Sequence, residues 1–212
     1  MAKLKNADEA TVKFLLEEFQ QIEGERLRLK GEAVQRLNFF LTITSALLGG
    51  LVLFGQISLP IRLEYILLSA LFFLVTIGWQ TFRFIIARDI NTDKVLRAGG
   101  RIRRYFTNRD IELRDYVTWQ DDDEPSKYVT ENDSAIRRTS QIVLAFLLGI
   151  MFGIIAFIFV DTLVTPIIIG FAGFITLVFF FEFYSQREFK RAREKANREV
   201  VFPKYEEIEI DA

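Results

Sequence analysis

Four arginines beside a pair of glycines form the stretch of this chain best suited to binding chemistry. Arg97, Arg101, Arg103 and Arg104 lie around Gly99-Gly100. Arginine matches phosphate through two parallel hydrogen bonds, and glycine permits close backbone approach. A nucleotide second messenger or an anionic lipid head group would suit them. Ordinary juxtamembrane positive charge attracted to anionic lipid is the simpler and favoured interpretation, since no Walker-type or dinucleotide-type glycine pattern is present.

A run of carboxylates follows downstream, from Asp121 to Glu124, just before Pro125. Carboxylate oxygens are the ligands that Ca²⁺ and Mg²⁺ prefer, but the run lacks the alternating spacing and the glycine of an EF-hand. The sequence therefore favours a solvated acidic loop without metal. Pairing with the basic stretch just upstream is the alternative.

The composition argues against most catalytic chemistry. The chain has no histidine and no cysteine, which removes disulfides, the usual zinc sites, thiol nucleophiles and histidine acid–base catalysis. We expect no enzyme activity and no cofactor; a membrane-embedded enzyme acting on lipids is the least favoured reading. Lysine and arginine (27) balance aspartate and glutamate (28), and no nucleic-acid partner is expected.

Apolar residues are concentrated in long uncharged runs. From Thr139 to Phe181 the only charge is Asp161, and each half, with about 20 residues, is long enough as helix to cross roughly 30 Å of hydrocarbon. Asp161, Thr165 and Pro166 are expected to mark the turn between the halves. Two further spans are predicted upstream, at Leu37–Phe54 and Tyr65–Phe82, joined by the loop Gly55–Pro60.

The predicted fold is all-α and integral to the membrane, with four transmembrane helices as two hairpins and cytoplasmic helical extensions. Gly99-Gly100 is expected to bend or end the helix that continues from the second span. Asn132, Asp133 and Ser134 are candidate N-caps for the third. The segments are an amphipathic helix (1–36), hairpin 1 (37–84), a helix with an acidic loop (85–138), hairpin 2 (139–183), and a C-terminal helix with tail (184–212).

The distribution of basic residues predicts the orientation. Lysine and arginine number seven before the first span, one in the first short loop, twelve in residues 83–138, none in the second short loop and seven after the last span. The positive-inside rule then places both termini and the middle segment in the cytoplasm of a multi-pass protein of the cell's inner (plasma) membrane, in contact with membrane lipids.

Small residues four apart predict close helix contacts. Ala46 and Gly50 lie in the first span, and Gly149 and Gly153 in the third, so another helix could approach there, within the chain or from a second copy. The stripe beginning at Val12 has heptad-like spacing. It predicts an amphipathic helix packing on its own chain; an intersubunit coiled coil and a helix on the membrane surface are the alternatives.

A cytoplasmic helix from Val12, a hairpin from Leu37 to Phe82 and a further helix through RIRRYF resemble the plan of the SLATT-type bacterial membrane proteins. The resemblance covers residues 11–106 and is architectural; the second hairpin departs from the two-span plan. It implies a membrane-disrupting or pore-forming effector in prokaryotic defence, switched by nucleotide signals.

Two functions remain open at the level of sequence. The favoured hypothesis is a non-enzymatic, homo-oligomeric, channel- or pore-like effector controlled from the cytosolic side, since all sizeable polar segments are predicted to be cytosolic. No ionisable residue lies at mid-depth of a predicted span, which argues against coupled transport. The alternative is a membrane anchor or scaffold subunit that recruits a soluble cytoplasmic partner through residues 83–138 and the two tails.

Overall fold

The chain forms an all-helical structure, described here from a computed structural model for residues 9–54, 63–131, 134–160 and 162–204. Within those ranges there is no β-strand. The elements, in chain order, are α1 (Glu9–Phe54), α2 (Leu63–Thr107), a 3₁₀ helix (Ile111–Tyr116), α3 (Lys127–Thr130), α4 (Ala135–Phe159) and α5 (Val164–Asn197). The predictions for Gly55–Pro60, Asn132, Asp133, Asp161 and the first and last residues fall outside these ranges.

The long helices run beyond the predicted spans. α2 has 45 residues and α5 has 34, which confirms that each apolar span continues as a helix into a charged extension. The prediction that Gly99-Gly100 ends α2 is wrong, because the helix continues to Thr107, and the bend given as the other possibility stays a prediction. Glycine costs a helix interior only about 1 kcal/mol relative to alanine, and packing offsets that penalty.

The helix ends follow capping rules. Ser134 is the N-cap of α4 and its Oγ accepts a hydrogen bond from the Arg137 amide at 3.3 Å, as predicted for this position.

The prediction that Thr165 and Pro166 lie in the turn between the last two spans is wrong, because α5 begins at Val164. Proline fits the first turn of a helix, where its missing N–H has no partner to lose.

The chain divides into two compact units. One, here called the polar unit, comprises Met1–Gly31, Arg88–Asp133 and Phe189–Ala212; the other, the apolar unit, comprises Glu32–Ala87 and Ser134–Glu188. Three helices, α1, α2 and α5, have residues in both.

The apolar unit packs its helices around aromatic and aliphatic side chains. Phe82 is fully buried and its ring lies 4.3 Å from that of Phe181, while Trp79 lies 4.7 Å from Tyr184. Gly78 lets the Phe40 ring approach α2, since a Cβ there would lie 3.3 Å from that ring. These contacts join α1, α2 and α5.

By length and composition, α2, α4 and α5 are each long and apolar enough to cross a membrane. Large apolar side chains are exposed along them, among them Phe72 (75%), Ile167 (69%) and Phe179 (72%). Such surface in water would favour aggregation, whereas lipid solvates it.

Candidate functional site

A buried carboxylate in the polar unit gathers two of the predicted arginines. Asp123 is 0% exposed. The Arg97 guanidinium donates from Nε to the Asp123 carbonyl oxygen at 2.8 Å and to Oδ1 at 3.0 Å. Arg101 donates from Nε to Oδ2 at 2.8 Å. One carboxylate therefore accepts from two cations on successive turns of α2.

The same residues bind the last turn of α5 and the segment that follows it. Arg97 donates to the carbonyl of Ala196 at 3.1 Å, and Arg101 to that of Glu199 at 3.3 Å. The Asp123 amide donates to the carbonyl of Phe202 at 2.7 Å, and the Val201 amide donates back to Oδ2 at 3.1 Å. We call this set the Asp123 cluster: Arg97, Arg101, Asp123 and the backbone groups of Ala196, Glu199, Val201 and Phe202.

The glycine pair in α2 is explained by this contact. A Cβ at Gly100 would collide with the carbonyl oxygen of Asp122, whereas a Cβ at Gly99 would meet its neighbours no closer than 3.5 Å. Gly100 therefore lets the acidic loop pack directly on the helix backbone.

The acidic loop itself differs from the favoured expectation. Asp122 and Asp123 are buried, so the prediction of a solvated loop is wrong for these two residues. The alternative, pairing with the basic stretch upstream, is confirmed by the ion pairs of Asp123 with Arg97 and Arg101. Two cations and several hydrogen bonds offset the cost of removing the carboxylate from water.

The other two predicted arginines lie further along α2. Arg103 donates to the carbonyl of Gln120 at 3.0 Å and pairs with Glu23 of α1 at 3.4 Å. Its guanidinium stacks over the Phe19 ring at 5.1 Å, and Arg26 stacks over Trp119 at 4.7 Å. Arg104 is half-buried on the same helix.

Chemically, the described contacts of Arg97, Arg101 and Arg103 are made to the chain's own carboxylates, carbonyls and aromatic rings. The arrangement fastens α1, α2, the acidic loop and the C-terminal segment together. An anion or lipid site at these four arginines stays a prediction.

The two small-residue pairs lie in different surroundings within the apolar unit. A Cβ at Gly149 would lie 2.9 Å from the Gly170 carbonyl oxygen, and one at Gly153 would lie 3.1 Å from that of Pro166. α4 and α5 thus meet backbone to backbone. Ala46 and Gly50 instead line an open cleft of about 400 Å³ with Ser69 and Ala70, and a Cβ at Gly50 would meet nothing within 4 Å.

A buried cation of the apolar unit was not singled out as a site from the sequence. Arg137, one of the twelve basic residues counted in residues 83–138, is 0% exposed. It donates to Gln141 Oε1 and Ser185 Oγ, both at 3.3 Å, and lies 3.6 Å from Glu182. Gln141 in turn donates to the Val178 carbonyl at 2.9 Å. Two features of the sequence could have indicated this buried cation. Arg137 and Gln141 are four residues apart on a predicted helix, and Glu182 ends the last apolar run.

No group of three or more His, Cys, Asp or Glu side chains that could hold a metal ion occurs in the described ranges. Comparison with known proteins gives no match to this chain among family models, curated proteins or solved structures.

Proposed function

We propose that this protein is a homo-oligomeric, four-span protein of the inner (plasma) membrane that acts as a channel- or pore-like effector controlled from the cytosol. The observation that carries the proposal is the cleft at Ala46 and Gly50, lined also by Ser69 and Ala70, which the described residues leave open. Small residues on membrane helices favour contact with another helix. The comparable pair Gly149 and Gly153 is covered by α5 of the same chain, whereas this pair has room for a helix from a second copy.

Exposed hydroxyl groups add to this argument. Thr42 and Ser45 on α1 and Ser69 and Thr76 on α2 are exposed in the apolar unit. Hydroxyl-bearing helices can line a water-filled pore when several copies bring them around an axis. Thr42, Ser69 and Thr76 donate to carbonyls of their own helices, which leaves their oxygen lone pairs available as acceptors.

Control from the cytosol is supported by the charge distribution and by helix continuity. Of the 27 lysines and arginines, one lies in the two short loops predicted to face outward. α1, α2 and α5 each combine residues of a predicted span with residues of the polar unit. A role in prokaryotic defence, which the SLATT-type resemblance implies, belongs to this proposal.

Conductance of the full-length protein in a planar bilayer tests the proposal. We expect discrete conductance steps when a low-molecular-weight cytosolic extract is added on the side of the polar unit, and their loss in G50L. A G24L variant is the matched control, since Gly24 also has open space around it but lies in the polar unit. An intact barrier with every extract fraction would contradict a channel-like function.

A membrane anchor that recruits a soluble partner is the second candidate. Ile111 (76% exposed), Tyr116 (81%) and Trp119 (54%) present apolar surface in the polar unit. Aromatic and apolar side chains at a surface favour protein contacts. Stable co-purification of one soluble protein, lost in an I111S/Y116S double variant, would favour the anchor.

A further inference from the structure

The polar unit contains a cleft of about 720 Å³ beside the Asp123 cluster. One wall comes from the acidic loop and α3, including Ser126 and Lys127; the other comes from the end of α5 and the segment after it, including Arg193 and Asn197. Small-molecule sites in proteins commonly have volumes of roughly 300–1,000 Å³. The cleft thus has room for a metabolite and lies between two segments that the cluster joins.

The charges in the cleft divide into engaged and available groups. Asp122 accepts from the Gln120 side chain at 2.6 Å and from the Glu124 amide at 3.1 Å, and Glu124 pairs with Lys204 at 3.6 Å. Within the described part of the chain, Lys127 and Arg193 have no such carboxylate partner. The Glu131 carboxylate also lines the cleft and likewise has no ion pair among the described residues, so two cations against one carboxylate remain for an anion.

Ser126 provides a second and independent sign of a missing partner. The residue is 5% exposed and lines the cleft, and its Oγ has no hydrogen-bond partner among the described residues. Its backbone is fully engaged, since the amide donates to Asp93 Oδ1 at 2.6 Å and the carbonyl accepts from Thr130. A buried hydroxyl without a partner costs free energy, which a bound acceptor would recover.

We propose that this cleft binds a small anionic molecule, through a phosphate or carboxylate group held by Lys127 and Arg193 and hydrogen-bonded by Ser126 and Asn197. The inference rests on the proposed function, for which the cleft would be the cytosolic control site. An anion bound there contacts both the loop and α5, and so stabilises the same junction as the Asp123 cluster.

Calorimetric titration of the full-length protein in phosphatidylcholine nanodiscs tests the site, with inorganic pyrophosphate as phosphate probe and citrate as carboxylate probe. We expect saturable binding of at least one probe. K127Q and R193Q should each weaken it about tenfold, since each removes a charged hydrogen-bond donor, and S126A should weaken it several-fold. K190Q, an exposed cation of α5 outside the cleft, should leave it unchanged.

Repeating the titration in nanodiscs that contain phosphatidylglycerol separates the two sources of an anion. Loss of probe binding there would assign the cleft to a lipid head group, and retained binding would assign it to a free metabolite. Absence of saturable binding of both probes, or equal weakening in R193Q and K190Q, would overturn the proposal. Binding can fail while conductance persists, so the two proposals are tested separately.

Discussion

At the scale of single residues, the structure is organised by buried charges that have partners. Asp123 and Arg137 are both 0% exposed, one in the polar unit and one in the apolar unit. A buried ion pair adds little net stability when complete, but losing one partner leaves the other charge in a low-dielectric environment. Substitutions at these residues should therefore lower the free energy of unfolding more than substitutions at their exposed neighbours do.

Replacement of Asp123 by asparagine should destabilise the polar unit by about 3 kcal/mol, because the buried Arg97 then loses its buried counter-ion and keeps only the exposed Glu199 carboxylate at 3.9 Å. Hydrogen exchange of a peptide covering residues 196–204 should accelerate, since the Val201 amide donates to the same carboxylate. The matched control is D121N, two residues away and outside the cluster. Equal exchange rates in the two variants would show that the cluster does not hold the C-terminal segment.

Replacement of Arg137 by glutamine should destabilise the apolar unit by about 2 kcal/mol; this lies below the cost for a fully buried pair because the Glu182 side chain is 36% exposed. Trp79 fluorescence during heating in detergent reports the change, since its ring contacts Tyr184 of α5. R138Q, at an exposed neighbour, should unfold at the wild-type temperature. An R137Q protein as stable as R138Q would contradict a structural role for this cation.

At the scale of elements, adjacent glycines of α2 should behave in opposite ways. G99A should be neutral or stabilising by up to about 1 kcal/mol, since alanine is the better helix former. G100A should destabilise by about 1–3 kcal/mol, because its methyl group overpacks against the Asp122 carbonyl. Thermal unfolding monitored through Trp119 measures both; a G100A protein as stable as G99A would mean that the loop does not pack on the helix.

Substitutions in the two small-residue pairs should also have different effects, one on the stability of a single chain and the other on the number of copies that assemble. G149A should lower the stability of a single chain, because the methyl group would lie 2.9 Å from the Gly170 carbonyl oxygen. G50L should leave single-chain stability unchanged yet reduce the number of copies per particle, measured by native mass spectrometry. A G50L protein with the wild-type number of copies would exclude this cleft from an oligomer contact.

Much of the secondary structure follows from the sequence, because long apolar runs and a serine cap have strong local signals. Helices α2 and α5 continue past their spans as predicted, and Ser134 caps α4. The prediction that α2 ends at Gly99-Gly100 was wrong because glycine weakens a helix only slightly. A local sequence pattern also contains no information about the packing of Asp122 on Gly100.

The candidate site could be predicted only in part. The sequence suggested that the acidic run could pair with the basic stretch, but not that Asp123 alone would be the buried acceptor for Arg97 across 26 residues. Choosing one carboxylate among four adjacent ones needs the position of the C-terminal segment, whose backbone completes the cluster. The burial of Arg137 likewise depends on Ser185, 48 residues away.

At the scale of the whole molecule, the proposed function depends on how many copies assemble. Among the described residues, three helices are long and apolar enough to cross a membrane, and none of those residues covers the cleft at Ala46 and Gly50. Burial of that cleft by a second copy is the step on which the channel-like proposal depends, since one chain has no axis around which a pore could form.

The mass of the full-length protein in nanodiscs, combined with cryo-EM class averages, measures how many copies assemble. We predict particles of several copies arranged around a central axis, with the Ala46 and Gly50 face of α1 at the contact between copies. Single copies, alone or beside one soluble protein, would contradict the account and make the chain a membrane anchor.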